Sequence, residues 1–317
     1  MISGSTFKPA WWLLNRHAQT IWPTLFRKRF KQDFQRIRFE LPDGDFVDVD
    51  WTLDNGGPLV IILHGLEGNI HSHYATSMLQ HLAQSGFTAG LLYFRGCSGE
   101  ANRLPRAYHS GDTADVAFVV NQIKQQYPER KCFAVGFSLG GNVLLKWLGE
   151  TGSANPLNAA VAVSVPFELA RASQQLNEGF SKIYQKHLLD KLLRSLARKR
   201  DMTTPFDIEH ALESKTIYEF DERVTAPVHG FTDAMDYYEK SSCRQFLSTI
   251  SIPTLIIHAE DDPFMTPDVI PGEHELSPGT RLELSKQGGH MGFVSGPVPF
   301  RPIYWLEQRI SGYLSKL

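Results

Sequence analysis

Short apolar runs alternate along the chain with stretches of helical spacing. Leu59–Leu63 (LVIIL) is apolar at every position and follows Gly56-Gly57-Pro58, the pattern of a strand buried on both faces. Phe34–Leu41 and Phe46–Thr52 flank Pro42-Asp43-Gly44-Asp45 and predict a hairpin. Phe87–Phe94, Lys131–Val135, Ala159–Val165, Thr254–His258 and Arg281–Leu284 read as further strands. Helical spacing occupies Tyr74–Ser85, Asp112–Tyr127 and Asn142–Gly149, and a last helix is expected over Ile303–Leu317. This alternation predicts an α/β fold: a mostly parallel central sheet with helices on both faces, made mixed by the opening hairpin. Ligands of such sheets bind beyond the carboxyl ends of the strands, so the residues just after each strand hold the candidate chemistry.

The alternation breaks once. Residues 166–248 are polar and helical and predict a helical cap insertion in one α/β domain spanning residues 1–317. Inside it, Ser181–Arg200 is amphipathic, with Ile183, Tyr184, Leu188, Leu192 and Leu196 on one side, seven Lys/Arg, and Asp190 as the one acid. A cap helix laying that stripe over the site is preferred to a helix lying on an anionic membrane.

Composition narrows the classes. Of the 317 residues, 42% are hydrophobic and 21% charged, which excludes a chain that is mainly disordered. A net charge of −2 argues against a general nucleic-acid binder. The charge is uneven: residues 1–32 hold six of the 32 Lys/Arg and no acid, leaving 26 bases against 34 acids elsewhere. The same stretch carries Trp11, Trp12 and Trp22. This basic aromatic arm, residues 1–33, is read first as packing on the body. The alternative is a peripheral membrane contact through residues 11–31. It lacks the pattern of a signal peptide, and no apolar run reaches a bilayer's length. Cys97, Cys132 and Cys243 form no C-x-x-C and point to a reducing, cytoplasmic setting.

The chemistry sits where the strands end. Gly136-Phe137-Ser138-Leu139-Gly140 lies between a strand and a helix and matches the nucleophile elbow G-x-S-x-G. The bland alternative is a glycine-rich turn in which Ser138 only caps a helix. The buried strand ending at Leu63 runs into His64-Gly65-Leu66, so an oxyanion hole is expected from the backbone N–H groups of Leu139 and Leu66. A serine nucleophile needs a base and an orienting acid, in the chain order Ser, acid, His. His290 lies among glycines after the Arg281–Leu284 strand. Asp261 and Asp262 follow the Thr254–His258 strand. The acid is expected three residues past Ala259, which selects Asp262 and leaves Asp261 as a turn residue. His64, His71, His73 and His81 lack metal-ligand spacing, and no nucleotide-binding glycine motif is present, so neither metal nor cofactor is expected.

Further segments carry a resemblance. They are Asn15-Arg16-His17-Ala18-Gln19-Thr20-Ile21, Phe94-Arg95-Gly96-Cys97-Ser98-Gly99, Tyr108-His109-Ser110-Gly111-Asp112-Thr113, the elbow extended to Asn142, and Asp261-Asp262-Pro263-Phe264. With the order of elements, they resemble the YheT-like branch of the α/β-hydrolase superfamily, which also includes eukaryotic membrane-associated lipid hydrolases. The resemblance implies a carboxylic-ester hydrolase with Ser138, Asp262 and His290 as triad, working through an acyl-enzyme on a small-molecule ester. The cap and the aromatic N-terminus suggest an acyl chain on that substrate. Acyl transfer on the same triad, and non-catalytic binding of a lipid or metabolite, are the alternatives.

Overall fold

The computed structural model describes residues 1–27, 33–299 and 301–317. In chain order, β1 (Ile2–Gly4) precedes α1 (Arg16–Phe26), and β2 (Gln35–Glu40) and β3 (Phe46–Trp51) form the hairpin. Then come β4 (Leu59–Leu63), α2 (Ala75–Gln84), β5 (Thr88–Leu92), α3 (Ala114–Gln126), β6 (Cys132–Phe137), α4 (Leu139–Thr151) and β7 (Ala159–Val163). The insertion carries α5 (Leu169–Leu176), α6 (Ser181–Ala197), α7 (Ile208–Leu212), α8 (Ile217–Phe220), α9 (Ala226–His229) and α10 (Ala234–Ser241). The sheet resumes with β8 (Thr254–Ala259) and β9 (Thr280–Ser285), and β10 (Val294–Ser295), β11 (Ile303–Tyr304) and α11 (Trp305–Leu314) close the chain.

Among the described residues the main sheet has nine strands in the order β1-β9-β8-β7-β6-β4-β5-β3-β2. It is parallel from β1 to β5 and antiparallel from β5 through β3 to β2. This is the α/β-hydrolase fold, with a helical insertion between β7 and β8. The central strands are fully buried because nearly every side chain is Val, Ile, Leu, Ala or Phe, and helices cover both faces. The connections put the ends of β4, β6, β8 and β9 on one edge, where the candidate residues lie.

Several boundaries differ from the sequence expectation, and those of β6, α4 and α11 have a clear cause. β6 continues through Gly136-Phe137 and α4 starts at Leu139, so Ser138 alone joins them. Packing explains it. A Cβ on Gly136 would stand 2.5 Å from the Gly140 carbonyl oxygen, and one on Gly140 would stand 2.5 Å from the Leu63 carbonyl oxygen. Their lack of side chains lets strand and helix close on each other, overriding their poor propensities. The last helix begins at Trp305, because Ile303 and Tyr304 pair with Ser295 and Val294. In α6 the expected stripe holds: Ile183, Tyr184, Leu188, Leu192 and Leu196 all line a cavity beneath the cap. Leu192 and Leu196, with Leu189, also pack with Ala211, Phe220 and Val224 in a small core belonging to the cap.

Candidate active site

Ser138 has φ 51° and ψ −118°, a strained backbone for a residue with a Cβ. Its N–H donates to the Val163 carbonyl (2.9 Å), which fixes the elbow to β7. The hydroxyl caps no helix. It lies 2.9 Å from His290 Nε2, and His290 Nδ1 lies 2.8 Å from Asp262 Oδ2 and 3.1 Å from Oδ1. His290 and Asp262 are buried, while Ser138 opens to the cavity. A carboxylate facing Nδ1 assigns the proton there, leaving Nε2 free to accept from the serine. Asp262 also accepts from the Phe264 N–H (2.9 Å), and the Phe264 ring stacks on the imidazole with centroids 3.8 Å apart. Asp261 points elsewhere: its Oδ1 accepts from the Gly289 N–H (2.9 Å) at the base of the histidine loop.

The loop after β4 presses against the serine. A Cβ on Gly65 would lie 3.3 Å from Ser138 Cβ. In that loop the Gly65 N–H donates to Tyr74 Oη (2.9 Å) and the Glu67 N–H to Tyr108 Oη (2.7 Å). The Leu66 N–H between them, and the Leu139 N–H at the start of α4, have no hydrogen-bond acceptor among the described residues. Both residues line the cavity with Ser138, the arrangement an oxyanion requires. His64 holds the loop from behind: Nδ1 donates to the Gly65 carbonyl (2.7 Å) and Nε2 accepts from the Phe94 N–H (3.1 Å). Burial pushes His64 down to about 4, so it stays neutral and keeps that acceptor at neutral pH.

The segment from Asn15 to Ile21, singled out only by its resemblance, helps to build this site as α1. Asn15 caps the helix, accepting from the N–H groups of His17 (2.8 Å) and Ala18 (3.3 Å). Thr20 Oγ1 accepts from the His290 N–H (2.9 Å). Gln19, fully buried, donates to the carbonyls of Leu13 (2.8 Å) and Val294 (3.0 Å) and accepts from the Val294 N–H (2.7 Å). Pro23 has no N–H for the Gln19 carbonyl four residues back, and Gly292 fills the space beside that carbonyl. A Cβ on Gly292 would stand 2.3 Å from this oxygen, and one on Gly289 would stand 2.5 Å from the Arg16 carbonyl oxygen. Gly289 and Gly292 thus serve contact with α1, and Gly289 also takes a left-handed backbone, φ 59°. Trp12 and Trp22 pack edge to face (4.8 Å) beside Ala10, Leu13 and Val294, while Trp11, Leu14, Leu25 and Phe26 are exposed. Lys28, Arg29 and Lys31 of the basic arm lie outside the described residues.

The other singled-out segments are scaffold. Arg95 forks onto Asp115 at 2.6 and 2.7 Å and reaches Asp43 at 2.7 Å, tying the loop after β5 to the hairpin turn and α3. Asn142 donates to the carbonyls of Ser110 (2.7 Å) and Ser241 (2.8 Å) and accepts from the Cys243 N–H (2.9 Å), anchoring the insertion to α4. Cys97, Cys132 and Cys243 are free and buried. Among the described residues no group of three or more His, Cys, Asp or Glu could hold a metal ion, and no helix is long and apolar enough to cross a membrane.

Above Ser138 lies a cavity of about 840 Å³, roofed by the cap and walled by Leu176, Leu188, Phe206, Phe220, Val224 and Val228 among others. That volume suits a ligand of drug or lipid size.

Residues 58–297 match the family described as alpha/beta hydrolase fold. Over 320 residues the chain is 41% identical to the YheT protein of Escherichia coli strain K12, covering 99% of this chain and 94% of that one. It is 30% identical over 311 residues to the phospholipase ABHD3 of Mus musculus, covering 94% and 76% respectively. Among solved structures, the esterase Pf2001 of Pyrococcus furiosus superposes with a TM-score of 0.57 at 16% identity, covering 89% of this chain and 92% of that one. The family and fold are consistent with a serine hydrolase acting on carboxylic esters.

Proposed function

Because the chain belongs to the alpha/beta-hydrolase family, we propose that it cleaves a carboxylic ester through an acyl-enzyme on Ser138. The buried hydrogen-bond chain from Ser138 Oγ through His290 to Asp262, at 2.9 and 2.8 Å, carries this reading. His290 Nε2 takes the serine proton as Oγ attacks the ester carbonyl. The carbonyl oxygen, now negative, turns toward the N–H groups of Leu66 and Leu139. Collapse expels the alcohol, which takes the proton from His290. Water then repeats the sequence and releases the acid. Asp262 holds the imidazole and stabilises its cation. A preorganised oxyanion donor is typically worth about 3–4 kcal/mol of barrier.

The apolar cap wall supports an acyl chain on the substrate, as does similarity to a protein named as a phospholipase. The three free cysteines support the cytoplasm as the place of work. Labelling by a fluorophosphonate tests the reading: the wild-type chain is expected to label and Ser138→Ala not to. A wild-type chain that takes no label overturns it in favour of a binding protein on a hydrolase scaffold.

A further inference from the structure

Of the described residues on the cavity wall, four are cations (Arg95, Lys191, Arg198 and Lys199) and two are acids (Glu67 and Asp221). Both acids are engaged. Glu67 accepts from Tyr108 Oη (3.1 Å) and Ser195 Oγ (2.5 Å), and Asp221 from Thr225 Oγ1 (2.6 Å) and Tyr238 Oη (2.7 Å). Two of the cations are engaged as well. Arg95 is paired with Asp115 and Asp43, and Lys199 Nζ donates to the carbonyls of Pro105 (3.0 Å) and Arg106 (2.7 Å). The side chains of Lys191 and Arg198 make no hydrogen bond or ion pair with a described residue, although both line the cavity.

Helix geometry locates them. At one end of α6 the Tyr184 hydroxyl meets His17 Nδ1 (3.0 Å), and its ring lies 5.0 Å from Phe264, the ring stacked on His290. At the other end Ser195 holds Glu67, the residue after Leu66. With a rise of about 1.5 Å per residue, Lys191 stands about 10 Å along the axis from Tyr184 and about 6 Å short of Ser195. Lys191 thus lies between the end of the helix that meets Phe264 and the end that holds the Leu66 loop, on the wall of the cavity that Ser138 opens to. Arg198 follows two turns on, on the same face. Burial pushes the Glu67 carboxyl up, and Lys191 and Arg198 both pull against that, so both act on this one loop. Tyr108 and Ser195 already occupy Glu67, which leaves the two cations for a ligand. Lys191 is half-buried and Arg198 exposed, and an anion between them would gain charge-assisted hydrogen bonds from both.

We propose that Lys191 and Arg198 form an anion subsite, and that the substrate is an acyl ester bearing a carboxylate or phosphate a few bonds from the scissile carbonyl. The inference rests on the ester-hydrolase reading of the same site. Two matched pairs test it: a monoacylglycerol against the same acylglycerol carrying a 3-phosphate, and the p-nitrophenyl half-ester of a dicarboxylic acid against its methyl-capped diester. The wild-type chain is expected to favour the anionic member of at least one pair in kcat/KM by about tenfold or more. Which pair responds identifies the anion. Lys191→Gln and Arg198→Gln should each cut that preference ratio by about tenfold, Lys191→Arg should retain it, and added salt should lower it. Equal or inverted preference in both pairs overturns the subsite, as does a ratio that neither substitution moves. If instead no ester is cleaved and no fluorophosphonate is taken up, the underlying hydrolase reading is what has failed.

Discussion

Replacing Gln19 by leucine tests whether the N-terminal helix builds the histidine loop or merely lies on it. The buried amide makes three hydrogen bonds, at 2.8, 3.0 and 2.7 Å. Leucine removes all three at similar volume. The Val294 carbonyl keeps a partner in the Ala10 N–H (3.0 Å), but the Val294 N–H and the Leu13 carbonyl lose theirs. At ~1–3 kcal/mol for each unsatisfied buried group, and with some relief from the apolar side chain, the cost is about 2–4 kcal/mol. For a chain of this size that lowers Tm by about 3–6 °C. Activity should suffer separately. Val294 lies four residues past His290, and a shift of roughly 1 Å at a catalytic group can cost about 100-fold. The burst of p-nitrophenol from an activated ester, followed by stopped flow well below the lowered Tm, reads acylation alone. It should slow by about 10- to 100-fold, with KM moving less. Trp11→Ala, on the exposed side of the same arm, is the control. A wild-type burst rate in folded Gln19→Leu would refute a role for α1 in placing His290. An unchanged Tm as well would refute the hydrogen-bond reasoning itself.

The two aspartates should separate cleanly. Asp262→Asn is expected to lower kcat by about 10⁴, since an amide favours the wrong imidazole tautomer. Asp261→Asn keeps an acceptor for the Gly289 N–H and should cost less than about tenfold; steady-state kinetics on one ester decides. The pH dependence of stability carries opposing contributions. Burial pushes His64, His229 and His258 down to about 4, below the value of about 6.5 they regain on unfolding. Between those pH values the unfolded chain binds protons that the folded chain refuses, so these groups make stability fall as pH drops from 6.5 to 4. Asp221 works the other way: burial raises it to about 6, so its penalty is present above pH 6 and relieved below. Asp221→Asn should therefore stabilise the protein at pH 7–8, by up to about 3 kcal/mol, and have little effect near pH 4 in urea unfolding.

Much of this architecture is legible in the sequence because its signals are local. LVIIL at Leu59–Leu63 is a buried strand by composition alone, and the glycines around Ser138 mark a turn that nothing bulkier fits. Ser138, Asp262 and His290 each follow a strand, in the order that goes with a G-x-S-x-G elbow, and the structure places these three side chains in contact. Long-range features left little trace. β1 is three residues long and is held by its pairing with β9 across the sequence. The partners of Gln19 and Thr20 lie some 270 positions away, and no periodicity records that. The α6 stripe was legible, since its five residues all line the cavity, but hydrophobicity alone does not say that the surface they cover is hollow.

The docking of α1 on the His290 loop also bears on how the chain reaches its native state. Residues 2–26 are completed by contacts with residues 280–307, made some 270 positions later. Contacts this distant in sequence slow folding, and a ribosome-bound nascent chain cannot form them until residues 280–307 have emerged. Until then Trp12, Trp22 and the apolar side of the helix have no surface to cover them. The segment that completes the candidate active site thus stays exposed while the residues between it and the His290 loop are made. A fusion placed ahead of Ile2 would crowd the edge strand on which that last closure depends.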